Sequence, residues 1–237
     1  MGLHLLAETR DVVSERKKEI ERHLNFIKDA LDKKTTNLAE LNGVRSSLES
    51  GTAMFDRGLI KTLSASTYLL LYNLIECAMT NAIDSIHVHI KREKTGFHEL
   101  SENMKRIALR NFSKALDSEN NILSQSSIEH AIVWLGYDGE RLFSGNIDAR
   151  KVKIIAKNYG FDIPKKTLQE SENGKSLLTI KSKRNELAHG KISFEECGQE
   201  CSIEELFDIY SKATAFVDGI LDAIENYVAG KLYLHQS

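Results

Sequence analysis

Apolar residues in the early part of the chain recur at intervals of three and four positions, which is the spacing of one face of an α-helix. Written as heptads, they occupy two seam positions, with Lys34 and Arg45 as interruptions. The charged residues between them fit the solvated face of the same helix. The pattern predicts one long N-terminal helix within residues 1–51, ending at Gly51. Its seam consists of Val13, Ile20, Leu24, Ile27, Leu31, Leu38, Leu41 and Leu48.

The next segment, residues 57–91, is apolar on nearly every side, which is typical of a buried central helix. A polar stripe nevertheless runs along it at helical spacing. Such a stripe either meets solvent and polar neighbours or lines a functional cleft, because a buried carboxylate needs a partner. The sequence leaves both interpretations open. The stripe consists of Asn73, Glu76, Thr80, Asp84 and His87.

Residues 97–170 show shorter periodic pieces, and we expect a helical insertion within one domain of residues 1–237. Gly160 and Pro164 are the expected stop after the last piece. That piece is basic, which fits a solvated face better than a tract that contacts phosphate. The predicted helices lie near residues 101–116, 127–135 and 148–159, with a glycine-bounded loop at 136–139.

Two further helices complete the prediction. One spans about residues 174–189 and ends at Gly190, and after a polar loop a capping box from Ser202 to Glu205 opens a last long helix. The 237 residues contain one proline, a residue that helix interiors tolerate poorly. The sequence therefore predicts an all-α protein, an antiparallel helical bundle with a long N-terminal helix and a small helical insertion.

The composition limits the binding partners and the cellular compartment that we expect. With 32 basic and 34 acidic side chains the formal net charge is −2, so any contact with RNA must be local. Three cysteines give no paired framework, and no basic and apolar signal opens the chain, which favours a cytoplasmic protein. No apolar stretch approaches the roughly 20 residues that cross a bilayer, so we expect no membrane association.

The candidate chemistry lies on helix 174–189. Arg184 and His189 are five residues apart, which separates them by about 140° around the helix axis and about 7.5 Å along it. Asn185, four residues before His189, shares the face of that histidine. Arginine does not ligate metal, and the splayed pair suits a cleft between two elements better than a metal site on one helix.

These residue types match the demands of RNA cleavage without a metal. The 2′-hydroxyl must lose a proton, the 5′-oxygen must gain one, and the charge on the phosphate must be stabilised. Histidine can carry both proton roles near neutral pH, and arginine presents a fork of donors to phosphate oxygens. One histidine is one short of an acid and base pair, unless a two-fold axis brings His189 from two subunits to one phosphate. The chemistry therefore indicates a homodimer.

Other metal-like groupings are weaker. His87 and His89 are two apart and point to different sides of a helix, even with Glu93 and His98 nearby. Cys197 and Cys201, four residues apart in the predicted polar loop, lack a second pair of metal ligands. We interpret Cys77 as a small core residue. We expect no metal and no other cofactor.

The sequence resembles the HEPN superfamily, specifically bacterial HEPN nuclease-like proteins of toxin–antitoxin and phage-defence loci. The signature is an arginine, a polar residue, three further residues and a histidine, met here by Arg184-Asn185-Glu186-Leu187-Ala188-His189. The likeness extends over about residues 59–228. Segments 71–76, 144–150, 181–183 and 190–194 add to it.

The resemblance implies a metal-independent endoribonuclease, acting on RNA as a toxin or phage-defence effector through a dimeric composite site. Arg184, His189 and Asn185 would be catalytic, Glu76 and Asn73 accessory, and Glu76 could pair with Arg184. An antitoxin or defence partner is expected. In relatives paired with a nucleotidyltransferase antitoxin, a tyrosine stands two residues after the histidine, and here that position is Lys191. The alternative is a non-catalytic HEPN module that binds a partner protein or nucleotide.

Overall fold

The computed structural model describes residues 6–32, 57–116, 132–133, 143 and 146–236. Within these residues the regular elements are helices, and one isolated antiparallel bridge joins Leu100 to Leu234. Short 3₁₀ turns lie at Phe97–Glu99 and Glu172–Gly174. The α-helices are α1 Ala7–Asp32, α2 Arg57–Arg92, α3 Glu102–Leu116, α4 Ala149–Tyr159, α5 Lys165–Glu170, α6 Lys175–Ala188, α7 Phe194–Gln199 and α8 Ile203–Ala229. The predicted all-α class is confirmed.

The long apolar helix α2 is the centre of the bundle. It contacts α1, α6, α7 and α8, so most of its apolar residues meet protein. Fourteen of its residues are buried, between Ser64 and Ile90, including Leu71, Leu74 and Ile86 at 0% exposure. The prediction of a buried central helix is confirmed, and its end differs from the predicted one by a single residue.

Helix α1 runs antiparallel to α8. Arg10 binds Asp222 and Glu225, both at 2.7 Å, while Tyr210, near the start of α8, donates to Glu21 at 2.6 Å. These exposed or half-exposed pairs fix register more than they add stability. Beneath them lies the predicted seam.

The seam prediction holds for part of α1 and fails at its end. Val13, Ile20, Leu24 and Ile27 are buried, but Leu31 is 46% exposed. Ala30 is buried there instead. Leu31 lies about five full turns after Val13, on the same side of the helix, so its exposure reflects its place one residue before the end of α1 and not the helix period. Residues 33–56, with Leu38, Leu41 and Leu48, lie outside the described part of the chain.

The shorter helices follow the sequence closely. Helix α4 begins after Asp148, whose side chain accepts the N–H of Lys151, and ends at Gly160 with φ +86°. Ile147 and the apolar side of α4 join the hydrophobic core that α2 and α8 form. Of the predicted helix 127–135, residues 132–133 are described and are helical, and the loop 136–139 lies outside the described residues. The division into one domain with an insertion at 97–170 stays a prediction.

The predicted polar loop between Gly190 and Ser202 is wrong. Ser193 and Glu196 form a capping box that starts α7, and Cys197 on this helix is 0% exposed. A capping box needs only three residues of spacing, and it turns a polar stretch into a helix wherever an apolar side can be buried. Pro164 is also the N-cap of α5 instead of only following α4, and its missing N–H is no loss there because the first N–H groups of a helix have no partner within it.

Helix α7 lies so close to α2 that only glycine fits at the crossing. A Cβ on Gly198 would come within 1.8 Å of the Lys61 carbonyl oxygen, a backbone atom that cannot rotate away. No described helix is both long and apolar enough to cross a membrane.

We expect Gly198→Ala to lower the free energy of unfolding by about 1–3 kcal/mol, measured by urea denaturation. Alanine gains roughly 1 kcal/mol of helix propensity over glycine, but the overlap with the Lys61 carbonyl forces the two helices apart. Gly230→Ala is the matched control, because its Cβ would come no closer than 3.1 Å to another atom and φ there is −76°. Equal stability of the two variants would contradict the close crossing.

Candidate active site

The motif occupies the last turns of α6, and the end of this helix is defined by its own backbone. Gly190 N–H donates to Leu187 O, and Lys191 N–H donates to Glu186 O. This pair of bonds is a Schellman motif, with Gly190 at φ +63° and His189 as the C-cap. A Cβ on Gly190 would meet nothing within 4 Å, so glycine serves the backbone conformation rather than packing. The His-Gly pair therefore places His189 at a fixed point.

The Arg184 side chain is half-buried and held by two neighbours. Its Nη1 donates to Asn185 Oδ1 at 3.0 Å. Its Cζ lies 4.6 Å from the centroid of the Tyr72 ring on α2, within the range of a cation–π contact. Arg184 therefore faces the central helix, whereas His189 is exposed at the helix end.

Lys181, one turn before Arg184, is tied to the start of α4. Its Nζ lies 2.6 Å from Asp148 Oδ2, and both side chains are mostly buried. Burial alone would raise the pKa of Asp148, but the bonds from Lys181 and from the Lys151 N–H hold that pKa below its ordinary value. This carboxylate thus joins α4 to the motif helix.

Tyr72 connects the same elements from the other side. Its hydroxyl accepts the backbone N–H of Ile147 at 3.2 Å in a buried setting. Burial raises the pKa of Tyr72, and the Glu76 carboxylate raises it further, against the Arg184 charge. Tyr72 stays neutral at physiological pH and serves as a hydrogen-bond acceptor and an aromatic surface.

Lys183 binds α6 to the region after α7. Its Nζ contacts the carboxylates of Glu186 and Glu200, and the hydrogen bond with Glu200 raises the pKa of this lysine despite its partial burial. Lys183 therefore anchors the helix that carries the motif.

Neither of the two predicted accessory residues bonds to Arg184 in the described part of the chain. Asn73 is exposed, and Glu76 is half-buried one turn beyond Tyr72 on α2. Among the described residues no ion pair joins Glu76 to Arg184, and the hydrogen bond of Arg184 goes to Asn185 instead. The influence of Glu76 on Tyr72 still places its charge beside the same aromatic ring.

The far end of the polar stripe serves the core. His87 Nε2 lies 2.7 Å from the hydroxyl of Tyr159, and the two rings meet edge to face. His89 bonds in the same manner to Tyr233, at 3.2 Å. Among the residues that the structure covers, no group of three His, Cys, Asp or Glu side chains is placed to hold a metal ion.

Tyr72, Lys181 and Asp148 were not predicted as site residues. Tyr72 stands four residues before Glu76, so it lies on the turn next to the stripe, but an aromatic residue in an apolar helix normally indicates core packing. Asp148 was recognisable only as the start of a helix. What identifies all three is a contact across elements, which spacing along one helix does not contain.

The bundle and the Arg-x4-His helix end define a HEPN-type protein. The model of the MAE_28990-like HEPN family matches residues 5–233, so the chain belongs to this family. Searches among curated proteins and among solved structures gave no match. The HEPN superfamily is generally linked to ribonuclease activity, and its domains commonly dimerise and bind RNA.

His87 gives a pH prediction. Burial lowers its pKa from 6.5 to about 3, so the native state resists a proton that the unfolded chain accepts. The contribution of neutral His87 to the free energy of unfolding is fully present above pH 6.5 and is lost as pH falls toward 3. Between pH 7.5 and pH 5 we expect the free energy of unfolding of the wild type to fall by at most about 2 kcal/mol more than that of His87→Gln. Urea denaturation at both pH values measures this.

The exposed His235 supplies the control for this measurement. His235→Gln should keep the pH dependence of the wild type. If His87→Gln also keeps it, His87 is not the group responsible for the loss of stability in acid.

Proposed function

We propose that this protein is a metal-independent endoribonuclease, a toxin or phage-defence effector that acts as a homodimer through a composite Arg/His site. The observation that carries the proposal is the arrangement at the end of α6. An arginine oriented by an aromatic ring and an amide lies five residues before an exposed histidine whose backbone is fixed by a Schellman motif. Membership of the HEPN family supports the same activity.

The proposed reaction uses the 2′-hydroxyl of RNA as nucleophile. One His189 takes the proton from this hydroxyl, the 2′-oxygen attacks phosphorus, and the bond from phosphorus to the 5′-oxygen breaks. A second His189 donates a proton to the departing 5′-oxygen, which leaves a 2′,3′-cyclic phosphate. Arg184 stabilises the charge on the phosphate oxygens. Asn185, bonded to Arg184, orients the guanidinium or a phosphate oxygen.

The dimer follows from the need for two histidines. A second, independent feature favours it on the same helix. Leu178 is 55% exposed, and it lies seven residues before Asn185, hence on the same face of α6. In the proposed dimer the second copy packs on this face, which Leu178 shares with Asn185 and His189. An antitoxin or defence partner would act on this assembled site, and Lys191 argues against tyrosine modification as its control.

We expect purified wild-type protein to cleave RNA in EDTA and to release cyclic phosphate ends. Arg184→Ala and His189→Ala should each lower the cleavage rate by about 100-fold or more, because each removes charge stabilisation or proton transfer from the transition state. Gel analysis of an end-labelled RNA measures the rate and the product ends.

Exposed residues of the same types provide the controls. Arg92→Ala and His235→Ala should cleave as wild type does. Intact RNA with wild-type protein, together with identical growth of cells that express wild type or either motif variant, would reject the nuclease. That result would leave the non-catalytic HEPN module that binds a partner protein or nucleotide.

A mixing experiment tests the composite site. If one phosphate needs His189 from both subunits, an equal mixture of wild-type and His189→Ala chains contains only about one quarter active dimers after subunit exchange. Activity per total protein should fall to about one quarter of that of wild type. Independent sites in each chain would give about one half. Light scattering that finds only a monomer at micromolar concentration would also rule out the composite site.

A further inference from the structure

Tyr72 provides the surface against which the Arg184 guanidinium lies. The tyrosine is 3% exposed in the middle of α2, and the Arg184 Cζ stands 4.6 Å from its ring centroid. An arginine side chain has many rotamers, and a ring face restricts them without taking any hydrogen-bond donor. The contact therefore orders the guanidinium.

The ring is itself fixed at its other end. Its hydroxyl accepts the N–H of Ile147, and Ile147 is 1% exposed just before the start of α4. The ring is thus held by α2 through its backbone and by the α4 start through its hydroxyl. A surface held at both ends can position a flexible side chain.

An aromatic partner differs in one respect from the carboxylate that the sequence suggested. Glu76, had it paired with Arg184, would occupy N–H donors at the edge of the guanidinium. The Tyr72 ring lies beneath the Arg184 Cζ and takes none of the five N–H donors of the guanidinium in a hydrogen bond. In the described residues the one hydrogen bond of Arg184 goes to Asn185. The remaining donors of the Arg184 side chain have no hydrogen-bond partner among the described residues.

We propose that Tyr72 is a positioning residue for Arg184, which holds the guanidinium so that its free edge meets the scissile phosphate of RNA. The inference rests on the proposed nuclease function. It assigns the ring and the hydroxyl different tasks. The ring positions Arg184, whereas the hydroxyl holds the start of α4.

The experiment varies the charge on the ring face and keeps a six-membered aromatic ring at this position. Tyr72→Phe removes the hydroxyl alone, and Tyr72→pentafluorophenylalanine also withdraws the negative charge from the ring face that attracts a cation. Relative to Tyr72→Phe, we expect the fluorinated variant to lose about 3- to 30-fold in kcat at equal melting temperature. Tyr72→Phe should melt below wild type, because it leaves the Ile147 N–H without its acceptor.

A binding measurement keeps the test separate from cleavage. Fluorescence anisotropy with a 2′-O-methyl RNA, which cannot be cleaved, should show about 3- to 30-fold weaker binding for the fluorinated variant than for Tyr72→Phe. In the Arg184→Ala background the same exchange should have no effect, because Tyr72 acts through Arg184.

The outcomes separate the two proposals. Equal kcat and equal RNA binding of the fluorinated and Phe variants would overturn the role of Tyr72, even if Arg184→Ala is inactive. A persistent effect of fluorination in the Arg184→Ala background would also overturn it, since the ring would then act on something else. A wild-type protein that leaves RNA intact rejects the nuclease, and the binding comparison still decides the role of Tyr72.

Discussion

The structure depends on one constraint, which is that α2 has to bury an apolar surface on nearly every side. No single neighbour can cover such a helix, so α1, α6, α7 and α8 surround it. One of these approaches, that of α7 to Lys61, is so close that only glycine fits. Because α6 is one of the covering helices, the motif at its end is carried by an element that the core holds in place. The candidate site is thus a consequence of how α2 is covered.

A buried central helix also determines which groups the site can use. Polar residues on α2 have to find partners, and His87 and His89 find them in the hydroxyls of Tyr159 and Tyr233. Tyr72, in contrast, offers its ring to Arg184 and its hydroxyl to the Ile147 N–H. The last residue of the stripe, His87, therefore serves packing, whereas Glu76, near its start, lies one turn beyond the Tyr72 that contacts the motif.

Much of the fold was predictable because helix periodicity, caps and stop signals are local. The bounds of α2, α4, α6 and α8 follow from apolar spacing and from residues such as Ser202 and Gly160. The failures have physical causes. Leu31 is exposed because it stands at the end of α1, where the seam pattern alone does not decide burial, and α7 forms because a capping box and Cys197 outweigh a polar composition. The roles of Tyr72, Lys181 and Asp148 need contacts between elements, which periodicity does not encode.

The two motif residues differ in how much of their environment the chain itself provides. Arg184 is oriented within one chain by Tyr72 and Asn185. Its long side chain therefore loses conformational entropy when the protein folds and not when RNA binds. His189 has a fixed backbone but an exposed ring, and an exposed ring is ordered only when something covers it. A second subunit or bound RNA supplies that cover in the proposed mechanism. In the proposed mechanism, folding of the single chain orders Arg184, which binds the phosphate. The ring of His189, which transfers the proton, is ordered only on assembly.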